Sequence, residues 1–303
     1  MLNDSAMLNY TTRREESVAL IPKDLALFLI ALNILFAISA LLGNLLILTS
    51  LPRVHSIHPP TKLLFRCLAV ADLCVAPISL PIHITSLFRG ISNINLITLS
   101  YARSINYLFS LILCEVSIFT STAISVDRFL ALQLGLRYRL FVTLRRVHLV
   151  VILFWVTGIS DGLMFIFLEG KIALSVAIVL SALSVFISTF SYTKIFLILR
   201  QRHVQITDQR DTAGIVTLNI AKYKETVSSI KAVQLVLIAC YLPTIVIVSF
   251  EAFGKAAQIA WDLNVSLLFF NSALNPILYI WRIKALRQAV KDTIRSILCH
   301  SSP

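Results

Sequence analysis

Seven stretches of this chain, at about 25–51, 63–88, 99–126, 147–168, 172–199, 226–250 and 259–281, each hold about 20 or more mostly apolar residues. A helix of that length crosses the roughly 30 Å hydrocarbon layer of a bilayer. Inside lipid every backbone N–H and C=O must be satisfied internally, which leaves only helices and closed barrels. Barrel strands run about 9–11 residues with dyad alternation; these runs are longer and do not alternate. Composition agrees, with 57% hydrophobic and only 14% charged residues and a mean hydropathy of +0.85. A soluble domain carries roughly 25% charged residues. The expected fold is therefore an all-α membrane protein, a seven-transmembrane-helix bundle.

The basic residues orient it. Sorted by the face on which each loop falls, 20 of the 27 Lys and Arg lie on the side of the C-terminus. The excess of basic residues in cytoplasmic loops then places the C-terminus in the cytosol and the N-terminus outside. Two glycosylation sequons, at Asn3 and Asn9, fall in the expected extracellular tail. The net charge of +12 is read as loop charge facing anionic lipid headgroups, so nucleic acid is not an expected partner. The first apolar run is too long for the core of a cleavable signal peptide and is expected to stay as an anchor. The chain divides into an extracellular tail (1–24), a membrane domain (25–281) and a cytoplasmic segment (282–303). In the last, Ile283, Leu286, Val290, Ile294 and Ile297 recur at helical spacing opposite Lys284, Arg287, Lys291 and Arg295. That pattern predicts a short amphipathic helix on the inner leaflet. Cys299 behind it is either a palmitoylation position or a plain thiol.

Polar groups at bilayer depth are costly, about 2.5–3.5 kcal/mol for a central Asp, so each is a functional candidate. They are Asn44 in "GNLLIL", Asp72 in "LAVADL", and Glu115 and Ser117 in the third run, which closes on Asp127-Arg128. Trp155 and Asp161 follow in the fourth, Tyr192 in the fifth, Tyr241 and Pro243 in "CYLP", and Asn271, Asn275, Pro276 and Tyr279 in "NSALNPILY". Any one of these motifs is short. Six of them, in order and each within its own run, are specific: the chain resembles a rhodopsin-like (class A) G-protein-coupled receptor over essentially its whole length. The segment "GLRYRLFVTLRR" after the third run is similar to the group containing melanocortin, adenosine and lysolipid receptors.

The resemblance implies a plasma-membrane receptor that binds an extracellular ligand and activates heterotrimeric G proteins by helix rearrangement, with arrestin as a further partner. It places an allosteric sodium ion, the only metal or cofactor expected, at Asp72, Ser117, Asn271 and Asn275. Tyr241, Pro243, Pro276 and Tyr279 become parts of the switch. Pro276 frees a carbonyl one turn earlier, and Asn275 with water is the expected partner for it. The alternative is that Asp72 and the asparagines only join helices by hydrogen bonds. Arg128 is expected to pair with Asp127 at rest and to meet the G protein with Tyr192 when active, and Leu136 to insert into that partner.

Departures from the family pattern narrow the ligand. Arg103 stands where relatives have a cysteine, so no extracellular disulfide is expected; Ser184, Tyr241, Phe129 and Gly135 replace a proline, a tryptophan, a tyrosine and a proline. Ser110 replaces the aspartate of amine receptors, Phe269 the retinal lysine of opsins, and Val248 the asparagine that grips adenine. Candidate pocket residues are Tyr107, Ser110, Cys114, Glu115, Asp161, Tyr241, Glu251, Asp262 and Phe269. Glu115 and Asp161 either attract a cation or pair with neighbouring hydroxyls. A cationic peptide and a lipid both remain open as ligands.

A polytopic transporter is the competing class, but no internal repeat is visible. No nucleophile–base pair or phosphate loop stands out, and only His83 of the six histidines lies in the outer half of a run. An enzyme is therefore not expected. The topology is directly testable. An epitope placed before Met1 should be antibody-accessible on intact cells, whereas one after Pro303 should require permeabilisation; reversed accessibility would overturn the orientation.

Overall fold

The computed structural model describes residues 22–88, 96–168, 170–208, 234–250 and 258–300. Asn3, Asn9 and Glu251 lie outside them. Ten helices are described: α1 (Lys23–Ser50), α2 (Pro59–Val75), α3 (Ser79–Leu87), α4 (Leu96–Leu134), α5 (Tyr138–Phe141), α6 (Leu144–Phe167), α7 (Gly170–Asp208), α8 (Gln234–Phe250), α9 (Gln258–Arg282) and α10 (Lys284–His300). No strand occurs among the described residues. Six helical stretches are long and apolar enough to cross a bilayer, and α8 is a further apolar helix of 17 described residues.

Several run boundaries shift. The second run is two helices, because Pro77 falls in a turn at 76–78 and cannot donate to the carbonyl one turn earlier. It also begins earlier than read from hydropathy, at the Pro59-Pro60 pair suited to a helix N-terminus. The third and fifth runs extend as α4 and α7, each of 39 residues, well beyond their apolar parts. Hydropathy marks the lipid-matched portion of a helix and is blind to its polar continuation. Gly135 ends α4 with φ +53°, a left-handed conformation that glycine adopts without strain and proline cannot.

The bundle is inside out relative to a soluble protein. Phe28, Leu35, Leu42, Ile152, Leu153 and Phe186 face outward, while Asn33, Asp72, Thr61, Thr120, Ser125 and Ser188 are fully buried. That partition suits a lipid solvent, in which apolar surface gains nothing by burial and polar groups must find partners inside. Helix α4 is central and packs against α2, α3, α6 and α7; α1 packs against α2, α3, α9 and α10. Helix α10 continues from α9 after one non-helical residue, and its Leu286, Ala289 and Val290 join the core cluster of Phe65, Tyr138 and Tyr279. Its apolar stripe thus seats on the bundle as much as on any lipid surface.

The contact of α1 with α9 answers what Pro276 does. Lacking an amide hydrogen, it leaves the Ser272 carbonyl without its helical donor. That carbonyl sits 3.3 Å from Asn44 Nδ2, which also donates to the Ala40 carbonyl at 2.8 Å. Ser39 Oγ donates to the next carbonyl, Ala273, at 3.0 Å. The partner is therefore a side chain of another helix, not Asn275 as expected. Beside Asn44, a Cβ on Gly43 would stand 2.6 Å from Pro276 Cγ and 2.9 Å from its Cβ. The glycine lets α1 approach the proline ring so that the amide can reach. Gly43→Ala should push the helices apart and cost about 1–3 kcal/mol, read as a lower thermal-unfolding midpoint of the purified protein.

Candidate functional site

Asp72 in α2 is fully buried. Its Oδ1 accepts from Ser117 Oγ of α4 at 3.0 Å and from Ser272 Oγ of α9 at 2.8 Å, and its Oδ2 accepts from Asn275 Nδ2 at 2.8 Å. Three helices therefore converge on one carboxylate through neutral donors. Asn271, expected at this centre, is instead directed at Tyr241, with Nδ2 3.4 Å from the phenol oxygen. Ser272 is a donor that no motif marked. Residues 271, 272 and 275 all fall within about 100° of one helix face, so spacing alone does not separate them. Tyr241 also lies 3.5 Å from the Cys114 carbonyl, so Asn271 links the Asp72 layer to the pocket above it through α8.

A second polar centre closes α4. Asp127, 3% exposed at its side chain, pairs with Arg128 at 2.6 Å and accepts from Thr61 Oγ1 at 3.0 Å and from the Tyr138 hydroxyl. Arg128 in turn donates to Thr61 Oγ1 at 2.8 Å. The expected Asp127–Arg128 pair is present, and Thr61 of α2 and Tyr138 of α5 are additions that were not singled out from the sequence. Tyr279 packs edge-on to Phe65 with ring centroids 4.9 Å apart, and Tyr192 sits among Ile195, Phe129 and Leu278. Neither is hydrogen-bonded to Arg128 among the described residues. Leu136 projects from the turn between α4 and α5 with 99% of its surface exposed.

Between α4, α7, α8 and α9 lies a cavity of about 90 Å³. Tyr107, Ser110, Cys114, Glu115, Tyr241 and Phe269 line it as expected, and Val248, Trp261 and Asn264 were not anticipated as a group. Asp161 and Asp262, expected as pocket residues, are buried but are not on its wall. Glu115 and Asp161 do not pair with neighbouring hydroxyls: no other described group donates to their four buried oxygens, and the two carboxyls face each other. Thr244 Oγ1 lies 2.9 Å from Asn264 Oδ1, tying α8 to α9. Cys67, Cys74, Cys114 and Cys240 are free thiols, so no disulfide forms among them; Cys299 lies in α10. No group of three or more metal-ligating His, Cys, Asp or Glu occurs among the described residues.

Comparison with known proteins places this geometry. The rhodopsin family of seven-transmembrane receptors matches at residues 43–174 and 169–279. Among curated proteins, the chain is 25% identical to adenosine receptor A2b of Bos taurus, over 90% of this chain and 91% of that one. It is 26% identical to adenosine receptor A3 of Ovis aries, over 90% and 92%, and 26% identical to adenosine receptor A2a of Canis lupus familiaris, over 88% and 72%.

The Asp127 centre yields a stability prediction. Thr61→Val keeps the shape but removes a donor to Asp127 and an acceptor for Arg128, and Tyr138→Phe removes the other donor. Each should lower stability by about 1–3 kcal/mol, the range for a hydrogen bond to a buried charge. The two together should depart from additivity, since both act on one carboxylate. Unfolding midpoints of the two single variants and the double variant would measure it.

Proposed function

Because the chain belongs to the rhodopsin family of seven-transmembrane receptors and is thus a G-protein-coupled receptor for an extracellular ligand, we propose that Asp72 holds sodium in the resting bundle and that ion release drives its switch. The observation that carries this is the convergence of Ser117, Ser272 and Asn275 on a fully buried carboxylate. An ionised carboxyl at that depth requires a cation or a proton. The surrounding oxygens suit a small hard cation: both hydroxyls that donate to Asp72 keep lone pairs free, as does the Asn275 side-chain carbonyl. Asn271 and Tyr241 lead from this layer to the cavity, so an occupant of the cavity that moves Tyr241 disturbs Asn271 and the neighbouring Pro276 hinge.

At the other end, the exposed Leu136 and the Arg128 held by Asp127 form the G-protein-facing surface in this reading. Arrestin shares that face, and the basic stripe of α10 lies toward anionic headgroups. The basic-residue asymmetry supports a cytosolic C-terminus. Adenosine, which names the relatives, fits this cavity poorly: Val248 in its wall offers no hydrogen bond where the resemblance places the adenine-gripping asparagine.

Nucleotide exchange on purified heterotrimeric G proteins, set against tracer flux in vesicles, tests the receptor reading as a whole. Sodium has its own test. Raising sodium from zero to about ten times its Kd should add roughly 1.4 kcal/mol of stability by mass action, against an equimolar large organic cation. Asp72→Asn keeps the size and removes the charge, so it should abolish the sodium increment. A sodium increment that persists in the variant would show that the cluster only joins helices.

A further inference from the structure

Glu115 and Asp161 form a polar centre that neither the sodium cluster nor the Asp127 network uses. They are 3% and 2% exposed, and no other described group donates to their four oxygens. The two carboxyls lie within hydrogen-bonding reach of each other, so one proton can be shared between them. Their approach is built by the sequence Gly158-Ile-Ser-Asp161-Gly162. A Cβ on Gly158 would stand 3.1 Å from the Ile112 carbonyl, and one on Gly162 would stand 2.8 Å from Leu108 Cδ1. Small residues four apart thus let α6 press against α4, which carries Asp161 up to the back of Glu115.

Two adjacent buried acids cannot both ionise; with one proton held between them a single negative charge remains, which favours something positive beside it. Glu115 is the member that reaches the cavity; Asp161 stays behind it. Among the described residues no Lys, Arg or His lines that cavity. What it does supply is aromatic: Tyr107, Tyr241, Trp261 and Phe269 are on the wall, with Tyr107 and Trp261 rings 5.2 Å apart. Aromatic faces favour a cation and also bury an apolar body.

Resting on the receptor reading above, we infer that the ligand of this cavity is a small aromatic amine whose ammonium group pairs with Glu115, with Asp161 behind it sharing the pair's one proton, so that one negative charge meets one positive charge. The site is distinct from the one that Ser110 forfeits. Glu115 lies five residues further along α4, about 7.5 Å deeper, so the ammonium sits at the floor of the cavity and not near its mouth. The charge-assisted pair replaces the missing donor and neutralises the acid in one contact. The cavity's about 90 Å³ suits a compact molecule, since one water needs about 10–15 Å³.

The test uses the full chain in lipid nanodiscs, with phenethylamine and tryptamine as probes and their neutral counterparts 2-phenylethanol and tryptophol as controls. Thermal unfolding is followed against probe concentration. At least one amine should raise the midpoint and its alcohol should not. Glu115→Gln should weaken the amine about tenfold or more, and Asp161→Asn should weaken it about threefold. Both are near-isosteric and relieve a buried charge, so a cooperative unfolding transition is expected of each. Equal stabilisation by amine and alcohol, unchanged amine affinity in Glu115→Gln, or no stabilisation by either amine up to about 1 mM, a Kd worth only about 4.1 kcal/mol, would overturn the inference. In any of those cases, persisting exchange on G proteins leaves the receptor reading intact; absence of exchange on every G protein tested would remove that reading instead.

Discussion

The arrangement depends on one missing hydrogen atom. Pro276 cannot donate to the Ser272 carbonyl, and an orphaned carbonyl inside lipid costs several kcal/mol unless another donor reaches it. Asn44 reaches it, and only because Gly43 leaves room for the proline ring. The same residue, Ser272, offers its hydroxyl to Asp72 on the other side. The proline, the α1–α9 contact and the buried carboxylate are therefore joined through one residue, Ser272.

Four of the buried acids in the described helices meet the low dielectric in three ways. Asp127 has a full set of partners, with a guanidinium and two hydroxyls around it. Asp72 has three neutral donors and no fixed counter-charge. Glu115 and Asp161 have neither. Those differences map onto roles: a closed network holds one conformation, a half-compensated carboxylate suits a mobile ion, and an uncompensated pair beside a cavity suits a charged visitor. Desolvation makes each arrangement consequential, because a buried unpaired charge is far more costly than a surface one.

Much of this was legible from residue order alone. Seven apolar runs gave the bundle, and the positions of Asp72, Asn275 and Arg128 in their motifs gave two of its polar centres. What escaped were partners chosen by helix rotation. Asn271 and Ser272 are neighbours in sequence, yet Ser272 donates to Asp72 while Asn271 contacts Tyr241. Thr61 lies in no motif, and Tyr138 lies in one without being singled out, since hydroxyls are common and become significant only beside a carboxylate.

The sequence by itself therefore determined the solvent, the number of spans and the depth of each polar residue, because hydropathy and helical rise are local properties. Only the tertiary structure decided which polar groups meet. Whether Asn44 or Asn275 rescues the Ser272 carbonyl, or whether Glu115 finds a hydroxyl or only Asp161, depends on how far two helices approach and how each is turned about its axis. Those are set by many weak contacts at once: a glycine against a proline ring at Gly43, two glycines against Ile112 and Leu108 at Gly158 and Gly162. No single stretch of chain contains that information, because the atoms that fix it come from different helices.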